Sequence, residues 1–246
     1  MIDGTFLFIG LVFALAGFVK GVIGLGLPTI SMGLLAIVMP PVQAAALLVV
    51  PSLLTNVWQM AAGPSLRSVV RRLWTMMLAV CLGTWAGAGL MTGAHAQLGT
   101  LLLGVALALY ALTGLAALRF AMPGDWEAIC GPLVGAVTGI ITAATGVFVL
   151  PAVPYLQSIG LEKEELVQAL GLSFTVSTVA LAVNVWMAGA LGVSMAATTT
   201  AALLFASAGM WIGQVLRRHL APEVFRRCFF LGLLALALYL IARSAA

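Results

Sequence analysis

Lys20 is the only charged residue between Asp3 and Arg67. It sits beside Gly21-Val22-Ile23-Gly24-Leu25-Gly26-Leu27-Pro28, a run whose glycines and proline interrupt a helix. An interrupted helix exposes backbone N–H groups at a partly positive N-terminus, and such groups bind anions without a formal charge. An ammonium next to free amides is therefore anion-binding chemistry. Lys20, Gly21, Gly24, Gly26 and Pro28 are its candidates. A second run, Gly139-Ile140-Ile141-Thr142-Ala143-Ala144-Thr145-Gly146, offers the same backbone with two hydroxyl donors. Its candidates are Gly139, Thr142, Thr145 and Gly146. The competing reading is that these glycines and threonines only let helices pack closely. If helical, the chain rises about 25 Å from Asp3 to Lys20, short of the hydrocarbon thickness, so the ammonium either snorkels to the cytoplasm or points into a polar cavity.

Further polar groups stand on the segments next to the breaks. Asn56, Gln59 and Asn184 are the main candidates, with Gln43, Gln168, Ser173, Thr175 and Ser177 as lesser ones. Interhelical hydrogen bonding is the plainer account of all of them. Pro51 is expected to kink its segment and free a carbonyl. Trp58 and Trp186 read as packing residues or interface anchors.

Enzyme chemistry is poorly served. His95 and His219 fall in loops without a Ser or Cys partner at a recognisable spacing, and no His-Glu-x-x-His or paired-carboxylate metal site occurs. Cys81, Cys130 and Cys228 are far apart, so neither a disulfide framework nor a zinc site is suggested. No cofactor, no metal and no catalytic residue is expected.

The elements that must position these groups follow from composition. The chain is 63% apolar and 7% charged, against roughly 25% charged in soluble domains. Charge-free stretches from Lys20 to Arg67 and from Arg72 to Arg119 each hold a helical hairpin. Another hairpin runs from Glu165 to Arg217 with a turn near Gly189 to Gly192, and Pro222 opens a last helix. Between Glu127 and Glu162 two segments fit only if short or broken. The expectation is an all-α polytopic membrane protein of about ten hydrophobic segments, giving eight to ten spans, with interrupted or re-entrant helices. Ala14-Leu15-Ala16 imitates a signal cleavage site, but Asp3 stands where a basic region belongs, so the segment is read as retained.

Ten segments place Lys20, Arg67, Arg71, Arg72, Arg119, Lys163, Arg217, Arg218, Arg226 and Arg227 on the cytoplasmic side and only Arg243 outside, as the positive-inside rule favours. The net charge of +4 is thus explained by topology, and no nucleic acid is implied. Val42-Gln43-Ala44 followed by Asn56-Val57-Trp58 recurs as Val167-Gln168-Ala169 followed by Asn184-Val185-Trp186. Each set is preceded by a Gly-x-x-x-Gly, at Gly17/Gly21 and Gly135/Gly139. The chain therefore divides into residues 1–122 and 123–246 of one membrane domain. Five segments per half, an odd number, makes these halves inverted repeats with their breaks meeting at the repeat interface. That arrangement points to a secondary transporter with its site near the midplane.

At these residues the chain resembles the TauE/SafE family of membrane permeases, often called sulfite exporters. Gly17-Phe18-Val19-Lys20-Gly21-Val22-Ile23-Gly24-Leu25-Gly26, the Pro40-Pro41-Val42-Gln43-Ala44 turn into Leu47 to Gln59, and the copy beginning at Gly135 carry the resemblance over essentially the whole chain. The resemblance implies a bundle of two related halves that moves sulfite, sulfoacetate, other organosulfonates or related small anions. It departs after Gly26, where Leu27-Pro28 stand in place of further glycines, and at Thr142-Ala143-Ala144-Thr145 in place of a glycine cluster. The expected partners are a small anionic substrate and the lipid bilayer, with a homodimer left open. The expected place is the bacterial cytoplasmic (inner) membrane. No span carries an evident proton-relay carboxylate, so alternating-access export without proton coupling is expected. A membrane scaffold without its own substrate, or a carrier of small carboxylates, is the alternative.

Overall fold

The structure is a computed structural model that describes residues 4–92, 96–117, 121–192 and 195–245. Asp3, His95 and Arg119, used in the sidedness and enzyme arguments above, lie outside the described residues. Within them all regular structure is helical: α1 (Gly4–Ile23), α2 (Leu27–Leu35), α3 (Pro41–Ala61), α4 (Leu66–Ala86), α5 (Ala96–Ala116), α6 (Glu127–Thr145), α7 (Ala152–Ser158), α8 (Lys163–Met187), α9 (Ala196–Leu216) and α10 (Pro222–Ala245).

Seven helices, α1, α3, α5, α6, α8, α9 and α10, are long and apolar enough to cross a membrane. The protein is thus a multi-pass membrane protein. α4 has 21 residues, as α3 and α9 do, but Arg67, Arg71 and Arg72 crowd its first two turns. α2 and α7 have nine and seven residues, about 14 and 10 Å of helix, which is half or less of a hydrocarbon core. The two short elements are those that follow the two breaks.

The breaks themselves sit later than the sequence suggested. α1 continues through Lys20 and Gly21 to Ile23, so the first interruption is Gly24 to Gly26, with φ of 77° at Gly24 and 114° at Gly26. α6 continues through Gly139, Thr142 and Thr145, and the second interruption runs from Gly146 to Pro151. The threonines sit within the helix, and each hydroxyl donates back to its own preceding turn, Thr142 to the Thr138 carbonyl at 2.7 Å and Thr145 to the Ile141 carbonyl at 2.6 Å. Gly146, at φ 71°, is the residue that ends it.

Gly21 and Gly139 are glycine for a packing reason. A Cβ at Gly21 would lie 2.2 Å from the Met210 carbonyl oxygen, and one at Gly139 2.3 Å from that of Val80. The neighbouring glycines behave alike. Gly17 abuts the Ala206 carbonyl and Gly213 that of Phe18; Gly135 abuts the Met76 carbonyl and Gly83 that of Ala136. These contacts knit α1 to α9 and α4 to α6, while α3 packs on α8 and α5 on α10. Small residues allowing backbones to touch are the main means of helix association where lipid removes the hydrophobic drive.

The helix ends sort into two groups. At one end, Gln168 Nε2 donates to the carbonyls of Met60 and Gly63, and Arg72 reaches Glu127 and the Ile159 carbonyl. At the other, Arg243 donates to the Ile37 carbonyl at 2.6 Å and Gln97 to that of Ser244 at 3.1 Å. Arg72 and Glu127 thus lie apart from Arg243.

Candidate functional site

The central polar feature is the Lys20 side chain. Lys20 occupies the last turn of α1, where a cation is favoured by the helix dipole, yet it is 5% exposed. It does not snorkel out. Its ammonium donates to Asn56 Oδ1 and, at 3.1 Å, to Thr55 Oγ1, both on α3. Asn56, fully buried, uses its amide to donate to Ser52 Oγ at 3.0 Å and to Thr178 Oγ1 of α8 at 3.4 Å. The Ser52 and Thr178 hydroxyls lie 3.2 Å apart. A chain of neutral groups therefore runs from α1 through α3 to α8, headed by one ammonium.

What is missing from this chain of contacts is an acid. Among the described residues the single ion pair is Arg72–Glu127, and both acceptors of Lys20 are neutral. A charged group held inside a membrane bundle without a counter-charge is costly by several kcal/mol. A bound anion would supply the compensation. The first break follows Lys20 in the chain: the Gly24 N–H donates to the Lys20 carbonyl at 2.8 Å, and a Cβ at Gly24 would meet no atom within 4 Å. Gly26 packs on Val19 and Phe229, and Pro28 occupies the first turn of α2. Thr29 returns its hydroxyl to the Gly26 carbonyl at 2.9 Å.

The structure thus joins Lys20 to Asn56, while Gly24, Gly26 and Pro28 follow Lys20 along the chain in the break and the first turn of α2. Gln59 is one turn away on α3, but its amide donates across to the Val167 carbonyl at 3.2 Å rather than to this cluster. With Gln168, which also accepts from the Ser65 N–H at 2.7 Å, it ties α3 to α8 at one end of the bundle. Next to that tie is a cavity of about 540 Å³ lined by Lys163, Arg217 and Arg218 against one acid, Glu164. Gln214 also lines it, and its backbone nitrogen is 2.9 Å from where a Gly21 Cβ would stand.

Asn184 is not part of the Lys20 cluster. Its amide donates to the Thr84 carbonyl of α4 at 2.7 Å, while its buried Oδ1 has no partner. Thr142 and Thr145 spend their hydroxyls inside α6, although Thr145 Oγ1 also accepts from the Val147 N–H at 3.1 Å, and Gly146 rests on Met32 of α2. Phe148, in the second break, packs at a tilt against Phe174 of α8 with centroids 5.2 Å apart. Trp58 and Trp186 are each about two-thirds exposed, as lipid-facing anchors are.

Sequence reasoning missed Ser52, Thr55 and Thr178. The first two were within reach, since Ser52, Thr55 and Asn56 recur at i, i+3 and i+4 and so share one helix face. Thr178 becomes visible only when α8 is laid on α3.

The family model for the sulfite exporter TauE/SafE matches residues 9–240. The chain belongs to that family. The matched span takes in both breaks, Lys20, Asn56 and Asn184. No curated protein and no solved structure matches the chain. A membrane transporter of sulfur-containing anions is the broad function this family carries.

Proposed function

We propose that this protein exports a small sulfur-containing anion, such as sulfite or an organosulfonate, across the bacterial cytoplasmic membrane by alternating access. The buried Lys20 ammonium without a counter-charge, on the last helical turn before the first break, carries the reading. The anion takes the place of the missing acid, held by Lys20 and by backbone N–H groups of Leu25 to Leu27, and reached through the basic cavity of Lys163, Arg217 and Arg218. Arginine and lysine at a mouth raise the local anion concentration without fixing a geometry.

The halves 1–122 and 123–246 are read as inverted repeats. Supporting this, residue numbers in matching contacts of α1 and α6 differ throughout by 118 (17 to 135, 18 to 136, 21 to 139), and those of α4 and α9 by 130 (76 to 206, 80 to 210, 83 to 213). Each half then supplies five segments, four long helices and one short one, α2 or α7. Rocking of one half against the other about the breaks alternates access to the site. No catalytic step is assigned to the protein.

A cell interior negative by 100 mV expels a monovalent anion by about 2.3 kcal/mol, roughly fifty-fold in concentration. Export then needs no proton. In proteoliposomes loaded with sulfite, efflux is expected to follow an imposed potential and to ignore a pH gradient. Efflux that follows the pH gradient and not the potential would replace uniport with proton coupling. Transport of carboxylates in preference to sulfur oxyanions would change the substrate class.

A further inference from the structure

The two halves treat one equivalent pair of positions differently. Adding 118 to Lys20 gives Thr138 on α6, and the repeated Asn-Val-Trp equates Asn56 with Asn184 on α8. In the first half the ammonium of Lys20 rests on Asn56 Oδ1. In the second, Asn184 Oδ1 and Thr138 Oγ1 are both buried and both lack a hydrogen-bond partner. They belong to one locality. The Asn184 amide donates to the Thr84 carbonyl, and a Cβ at Gly139, next to Thr138, would lie 2.6 Å from the Thr84 nitrogen.

Two more orphaned oxygens stand on the same face of α8. Ser173 and Ser177 are fully buried with unpaired hydroxyls, at i and i+4, and Asn184 follows seven residues on. Nearby Thr175 and Thr178 show the contrast, since both return their hydroxyls to the preceding turn, at 2.7 and 2.6 Å. An amide oxygen can only accept, so Asn184 Oδ1 calls for a donor or a cation. Buried polar atoms are rarely left unmet.

We infer that a sodium ion binds between α6 and α8, held by Asn184 Oδ1 and the Thr138 hydroxyl, in the position that the Lys20 ammonium takes in the first half. The inference rests on the repeat reading above. Neutral oxygens with no carboxylate suit a hard monovalent cation, and no cluster of acidic, His or Cys ligands for a transition metal occurs among the described residues. Ammonium and sodium together would face the substrate with two positive charges, one from each half, a match for a doubly charged oxyanion.

The test uses the full-length protein in detergent, with sodium chloride compared against choline chloride so that chloride is constant. Thermal stability and radiolabelled sodium binding are both read. Wild type is expected to bind sodium and to melt several degrees higher in it. Thr138→Lys is expected to lose both responses while melting as high in choline as wild type does in sodium. Thr138→Val, which keeps the shape and removes the hydroxyl, is expected to raise the half-saturating sodium concentration at least ten-fold, and it serves if the lysine variant fails to fold. No sodium binding by wild type, or sodium binding undiminished in the variants, would overturn the inference. Stabilisation by sulfite, measured separately at fixed sodium, distinguishes this failure from failure of the anion-transport reading.

Discussion

The two breaks differ in what stands next to them. The first has three residues, Gly24 to Gly26, with a buried lysine one turn before it; the second has six, Gly146 to Pro151, preceded by threonines whose hydroxyls close back on their own helix. On the repeat reading the same element is built twice, once with a fixed charge and once with neutral oxygens only. The lesson is that the scaffold repeats through its glycines while the chemistry does not. Gly17/Gly21 and Gly135/Gly139 make equivalent backbone contacts, whereas Lys20 and Thr138 cannot do the same job.

Five substitutions break or sharpen that contrast. Lys20→Gln removes the charge but keeps the reach toward Thr55 and Asn56. Because truncating a buried charge partner typically costs about 2–5 kcal/mol, sulfite flux at low concentration is expected to fall about thirty-fold or more, with membrane insertion unchanged. Gly21→Leu and Gly139→Leu should act as a matched pair. Each pushes a side chain into a carbonyl 2.2 or 2.3 Å away, so each is expected to lower stability by about 1–3 kcal/mol or more. Melting curves in detergent check this, and a large loss in one with none in the other would deny their equivalence.

Asn56→Ala leaves the ammonium with Thr55 alone and removes the amide donated to Ser52 and Thr178. A weakening of anion affinity by about five-fold to a hundred-fold is expected, from the usual 1–3 kcal/mol of an unmade buried hydrogen bond. Direct binding measurements would show it. The smallest effect is expected at the Arg72–Glu127 pair, which is partly exposed. Glu127→Gln should change stability by under about 1 kcal/mol and leave flux unaltered.

Much of the architecture was legible because a bilayer demands long apolar helices and sorts their flanking charges. The hairpins and the last helix from Pro222 follow from span length and proline placement; between Glu127 and Glu162, where two short or broken segments are expected, α6 runs unbroken for 19 residues and only α7 is short. The exact break positions did not follow. Glycine signals both a helix end and a close helix contact, and only the neighbours of Gly21 and Gly139 on α9 and α4 separate the two. Thr142 and Thr145 posed the same ambiguity, since a hydroxyl offered to a ligand and one returned to its own turn look identical in sequence. Lys20 and Asn56 were singled out for separate reasons, one for its charge and one for its repetition. That they touch depends on the path of α1 against α3, about which residue spacing is silent.

The account stands on Lys20 holding an anion, and equilibrium stabilisation by ligand measures that most directly. At a hundred times its dissociation constant, a ligand that binds only the folded protein adds about 2.7 kcal/mol, which raises the melting temperature by about 5 °C or more in a chain of this size. Sulfite or a sulfonate is expected to produce that shift in wild type and to produce little of it in Lys20→Gln. An equal shift in both proteins, or none in wild type across sulfite, sulfonates and carboxylates, would contradict it.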